Sequence, residues 1–133
     1  MADYAVKRID DMEAVFAKAF KRARAELGVT SFGLNVMDMP PNTDRYPEHS
    51  HADDGQEEVY VALWGTGEIE IEGERHPLDP QTMVRVGPGV TRKIWPGDGG
   101  MRVLAIGGVP GKLYEPPEFS KLGAPDPLAQ QQA

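Results

Sequence analysis

The chain has 133 residues, 40% of them hydrophobic, with 15 glycines, 12 prolines and no cysteine. That is enough for one core; so much glycine and proline favours short strands over a helical bundle, and the lack of cysteine excludes disulfides, thiolate metal sites and a thiol nucleophile. A formal net charge of -7 repels phosphate backbones and argues against a nucleic-acid partner.

Residues 10–27 predict the one helix. Met12, Val15, Phe16, Ala19, Phe20, Ala23 and Leu27 recur at helical spacing and form one apolar stripe. Asp10 with Glu13 suits a capping pair, and Gly28 sits where a helix stops. Lys18, Lys21, Arg22 and Arg24 load the later turns with positive charge and read as a solvated face. From Thr30 the period becomes two: Phe32, Leu34 and Val36 alternate with Gly33, Asn35 and Met37 until Pro40-Pro41 ends the run. Glu58 to Trp64 is the next strand, with Val59, Val61 and Leu63 on one face. Glu68 to Glu72 alternates strictly and turns at Gly73-Glu74 into a strand near Arg75 to Leu78. Met83 to Val86, Arg92 to Trp95 and Arg102 to Ile106 complete the series, each bounded by glycine or proline. Such regular short strands indicate an antiparallel sandwich or barrel.

After Gly111 the chain changes character. Pro116-Pro117, Pro125 and Pro127 argue against regular structure, and Gln130 to Gln132 reads as disordered. Leu113, Tyr114 and Phe119 are placed to pack on the barrel or on a partner subunit. No apolar run approaches the roughly 18–20 residues that span a bilayer, and Met1 to Asp10 lacks the basic-then-apolar order of a signal peptide. The expectation is a cytoplasmic protein with no membrane partner.

The informative stretch is Pro47-Glu48-His49-Ser50-His51, followed by Gln56-Glu57-Glu58-Val59-Tyr60. Residues two apart in a strand face the same way, about 6.6 Å apart along the chain. His49 and His51 can therefore aim both imidazoles into one cavity. The polar loop from Ala52 to Gly55 lets the chain reverse, and Glu58 starts the strand alongside. Two imidazoles and one carboxylate form a set that binds a divalent transition metal (Fe, Mn, Zn or Ni) and leaves positions open.

At these residues the sequence resembles the cupin superfamily, whose first motif is written G-x5-H-x-H-x3,4-E-x6-G. His49-x-His51 and Glu58-x6-Gly65 match, with six residues between His51 and Glu58 and Thr43 where the motif begins with glycine. Glu57 would break the spacing from glutamate to glycine and shares the face of Val59, so Glu58 is the ligand of choice. The second motif, G-x5-P-x-G-x2-H-x3-N, keeps Pro88-Gly89, whereas Gln81, Gly87 and Pro96 depart from its other marked residues. Arg92 stands in the position of the family's last metal-binding histidine. The resemblance implies an all-β fold, a single antiparallel jelly-roll barrel over residues 30–111. An N-terminal helical segment at 1–29 would pack on it, with a proline-rich, partly disordered tail at 112–133. It also implies a homodimer.

A guanidinium cannot ligate a cation. Arg92 can pair with Glu58, clamp a carboxylate or phosphate of a small ligand, or point outward if the strand slips by one residue. Gln56 is a further oxygen donor, and Tyr60 and Trp64 share the parity of Glu58, so that Arg92, Tyr60 and Gln56 make up the ligand-binding set. His76 reads as a surface histidine. Gly107 to Gly111 lacks the residues of a phosphate loop, and Asp53-Asp54 lacks the spacing of a calcium loop. Two functions remain open. One is a metal-dependent oxygenase, isomerase or decarboxylase acting on a small anionic molecule. The other is a non-catalytic binding or sensing module whose metal-free pocket pairs Arg92 with Glu58 or a ligand anion.

Overall fold

The computed structural model describes residues 2–131. Its elements are β1 (Ala14–Val15), β2 (Phe20–Lys21), α1 (Ala23–Leu27), β3 (Gly33–Met39), β4 (Glu57–Ile71), β5 (Glu74–Leu78), β6 (Val84–Val86), β7 (Arg92–Gly108) and α2 (Pro127–Gln131). The class is all-β. Every strand pairing is antiparallel, in the order β1-β2-β3-β7-β4-β5, with β6 also on β4. No helix among the described residues is long and apolar enough to cross a membrane.

Two long strands organise the molecule. The runs expected at Glu58 to Trp64 and Glu68 to Glu72 are halves of β4, and those at Arg92 to Trp95 and Arg102 to Ile106 are halves of β7. The two pair from Glu57↔Gly108 to Ile71↔Arg92, with register shifts between Ala62 and Trp64 and between Gly65 and Gly67. There the ladder bends. Gly65 has φ +79°, and a side chain on it would strike the Gly100 carbonyl. A Cβ on Gly67 would lie 2.5 Å from the Trp95 carbonyl oxygen.

How far the sheet curls follows from Glu58 and Arg92. Glu58 pairs with Gly107 near one end of the ladder, and Arg92 pairs with Ile71 at the other. A flat ladder would hold them on the order of 40 Å apart at the usual strand rise. Their side chains lie 4.0 Å apart. The sheet therefore folds over itself, and the segment before β4 ties the two layers at the mouth. The His49 N–H donates to the Arg92 carbonyl at 3.0 Å, the Arg92 N–H returns a bond at 2.9 Å, and the His51 N–H donates to the Pro88 carbonyl at 2.7 Å.

The interior is one apolar cluster of Met37, Met39, Tyr60, Ala62, Ile69, Leu78, Val86, Ile94, Met101, Val103 and Ala105. The inward face of β4 carries Tyr60 and Ala62, and Leu63 is exposed on the other face. On β3, Met37 and Met39 point in, while Val36 and Leu34 join Met12, Ala23 and Leu104 in a second cluster outside the barrel. Both faces of β3 are covered, so alternation alone could not say which one lines the barrel. The hairpin into β5 turns at Glu72 and Gly73, one residue earlier than expected, with φ of +51° and +83° as a type I′ turn requires.

The long N-terminal helix is not formed. Residues 10–27 instead give a 3-10 turn at Ile9–Asp11, the β1–β2 hairpin and the five-residue α1, which Gly28 ends with φ +78°. Long-range contacts outweigh the helical pattern. The rings of Phe16 and Phe20 pack edge-on against Phe119 of the tail. Glu13 does not cap a helix; its carboxylate accepts from Arg22 and from the Gly123 N–H. Nor are the basic residues all a solvated face. Lys21 is buried and pairs with Asp38 at 3.6 Å. Arg22 is 2% exposed and donates to the Phe119 and Ala124 carbonyls, both at 2.8 Å.

The tail is accordingly more ordered than its prolines suggested. Tyr114 packs against Gly33, although Leu113 stays exposed. Pro127 opens α2, a position where its missing N–H costs nothing. Asp126 caps that helix by accepting from the Leu128 N–H at 2.9 Å. Of the run from Gln130 to Gln132, Gln130 and Gln131 fall in α2, and Gln132 lies outside the described residues.

Candidate metal centre

His49 and His51 sit in the extended segment that crosses the barrel mouth, and the intervening Ser50 is exposed. After His51 the chain turns: the Gly55 N–H bonds the His51 carbonyl at 2.8 Å, and Gly55 has φ +75°. An Asp54 side-chain oxygen receives the Gln56 N–H at 3.0 Å, which fixes the turn that delivers β4. Glu58 then faces inward and is 8% exposed. Glu57 faces outward to Arg85 at 2.7 Å, in keeping with the parity argument.

Ligand atoms of His49, His51 and Glu58 lie within 4.8 Å of one another. His51 Nε2 is 2.9 Å and His49 Nε2 3.9 Å from Glu58 Oε1. On the far side of each ring, His51 Nδ1 contacts the Asp54 carboxylate at 3.1 Å and His49 Nδ1 the Pro47 carbonyl at 3.0 Å. An Nδ1–H given to these acceptors leaves the Nε2 lone pairs aimed at the shared centre. Bonds of about 2.0–2.2 Å to nitrogen and carboxylate oxygen put the donors of one ion roughly 3 Å apart. The His51–Glu58 pair at 2.9 Å already has that spacing and the whole set lies within 4.8 Å, so the residues present fit a divalent ion.

The surrounding groups set the charge. Burial alone would raise the Glu58 carboxyl, but His49, His51 and the Tyr60 hydroxyl outweigh it and hold the carboxyl well below the usual range. The hydrogen bond to Glu58 raises the proton affinity of His51 most; burial opposes it and Asp54 adds to it. Tyr60 donates to Glu58 Oε1 at 2.6 Å. Burial first, then neighbouring Tyr46 and Glu58, push the Tyr60 phenol up, so it stays a donor.

Arg92 points inward and is 0% exposed, which rules out the outward reading. Its Nη2 lies 3.4 Å from each of the Val86 and Gly87 carbonyls and 4.0 Å from Glu58 Oε1. Its Nε and Nη1 are buried without a hydrogen-bond partner.

The other expected residues divide. Gln56 sits behind His51, with Nε2 3.3 Å from His51 Nδ1, and offers no oxygen to the centre. Tyr60 sits behind Glu58, with its hydroxyl donating to Glu58 Oε1 at 2.6 Å. Trp64, past the first register shift, is 47% exposed and leaves the interior altogether. His76 pairs with Ile69 on β5, outside the cluster. Two contributors escaped sequence reasoning. Tyr46 places its hydroxyl 3.5 Å from that of Tyr60 and its ring 5.6 Å from His49. Asp54 orients His51, and only a carboxylate three residues beyond a histidine hinted at it.

The fold and this cluster define a small all-β barrel with a two-histidine, one-carboxylate group at its mouth. The family model described as cupin domain matches residues 35–107, more than half of the chain, and the chain belongs to the cupin family. None of the curated proteins matches it. Among solved structures it is similar to a cupin protein from Bacteroides fragilis, with TM-score 0.67 and 24% identity over 88% of this chain and 93% of that one. It is also similar to a sugar phosphate isomerase from the cupin superfamily of Silicibacter pomeroyi, with TM-score 0.65 and 18% identity over 77% and 74%. A predicted oxalate decarboxylase from Thermotoga maritima aligns with TM-score 0.58 and 20% identity over 79% and 99%. Likeness at these identities speaks for the fold alone.

Proposed function

We propose that this cupin binds a divalent transition-metal ion through His49, His51 and Glu58 and acts there on a small molecule. The observation that carries this reading is the convergence of the three side chains, with Glu58 held ionised inside the barrel and both rings braced from behind. The metal would supply a Lewis acid or a site of oxygen activation, which suits oxygenation, isomerisation or decarboxylation. The chain's own residues do the rest. Tyr60 fixes the carboxylate from inside, Asp54 holds the His51 ring, and Arg92 places a cation where the family's fourth ligand would be.

The second reading, a metal-free binding pocket, is favoured by one observation: His51 already lies 2.9 Å from Glu58, an ion-paired network complete without a metal. Elemental analysis separates the two. Protein purified without chelators, or reconstituted with Fe, Mn, Zn or Ni, should hold close to one equivalent, and His51→Ala should hold almost none. Wild-type protein that takes up no metal under any of these conditions would establish the second reading instead.

A further inference from the structure

Arg92 carries a permanent charge in a place sealed from solvent. Its Nε and Nη1 have no partner, and the contacts of Nη2, at 3.4, 3.4 and 4.0 Å, are longer than a charge-assisted hydrogen bond. The Glu58 oxygen nearest Arg92, Oε1, already accepts from Tyr60 at 2.6 Å and lies 2.9 Å from His51. A buried guanidinium in this state is strongly disfavoured unless something anionic completes it.

We infer that Arg92 is the anion subsite of this barrel, and that it takes the carboxylate of a small monoanionic ligand. The inference rests on the reading of the interior as a ligand site. Three features favour a carboxylate over a phosphate. A planar two-oxygen group matches the guanidinium fork, whereas a tetrahedral group does not lie in its plane. The Glu58 carboxylate already stands 4.0 Å from Arg92, so a monoanion meets less repulsion there than a dianion would. Space is short as well, since Tyr60 and Val86 beside Arg92 are fully buried. Entry is from the mouth, where the His49 and His51 side chains keep 30% and 18% of their exposure.

The test uses the full chain, stripped with a chelator, in sodium formate or acetate against sodium chloride and sodium phosphate at equal ionic strength. Formate should raise the Tm over chloride, by roughly 5–10 °C at a hundredfold excess over Kd, and Arg92→Gln should erase the difference. Should that variant not fold, the wild-type Arg92 Nε–H resonance answers the question, because it should shift saturably with formate. A Tm in formate that tracks chloride, or an Nε–H signal that does not move, overturns the proposal. A response to phosphate as large as that to formate overturns its restriction to carboxylates. Repeating the titration with one equivalent of Zn or Mn keeps the two readings apart. Metal uptake without a formate effect removes the Arg92 subsite alone; a formate effect without metal uptake removes the metal reading alone.

Discussion

Glu58 Oε1 is the acceptor on which the site turns, with the Tyr60 hydroxyl at 2.6 Å and His51 Nε2 at 2.9 Å. Tyr60 contributes through Glu58, so it is a positioning residue. Tyr60→Phe should weaken metal binding by about 10–100-fold, the usual effect of losing such a support. Competition against a chelating dye measures this, and an unchanged urea midpoint would separate it from misfolding. His51 adds a pH signature. Its proton affinity is raised by Glu58, so without metal the pair stabilises the fold fully below the ordinary histidine value and loses that contribution as pH rises through the raised one. Metal must displace the same proton. Affinity should therefore climb from pH 6 to pH 8, with a proton released on binding, seen as a dependence of the calorimetric heat on buffer ionisation. At this scale much was legible. The spacing of two picked His49 and His51, and parity chose Glu58 over Glu57. Tyr46 and Asp54 were not, because what they touch depends on how the loop from 52 to 55 folds back.

At the scale of elements, the bend of the β4–β7 pair decides whether a site exists. Gly65 combines positive φ with close approach of the Gly100 backbone. Gly65→Ala should cost about 2–4 kcal/mol, through strain and the displaced partner strand, read as a lower urea midpoint. Because Arg92 and Glu58 meet only across that bend, the variant should also bind metal more weakly than its loss of stability explains. Strand positions were readable from period two, and the continuity of each long strand was not. The glycines at 65 and 67 look like turns, yet here they are bends inside one ladder. Residues 10–27 show the opposite failure. Their apolar spacing suits a helix, but Phe20 packs on the Phe119 ring and Arg22 donates to the Phe119 carbonyl, contacts with partners about a hundred residues away that no local window contains.

For the whole molecule, the side of the sheet away from the core leaves Leu63, Trp64 and Ile106 partly open, and Val59 pairs with Ile106 across β4 and β7 on that side. The homodimer expected from the family would bury this face. Sedimentation at micromolar concentration should then give twice the 14.6 kDa mass, and Trp64→Glu should restore the monomer; a monomeric wild type would refute it. The sequence by itself determined the class of fold and singled out His49, His51 and Glu58, since both follow from which residues alternate and where glycine and proline interrupt them. Only the tertiary structure decided that Arg92 turns inward beside Glu58. That contact joins the two ends of one ladder, and it exists because the sheet curls, which no period in the chain records.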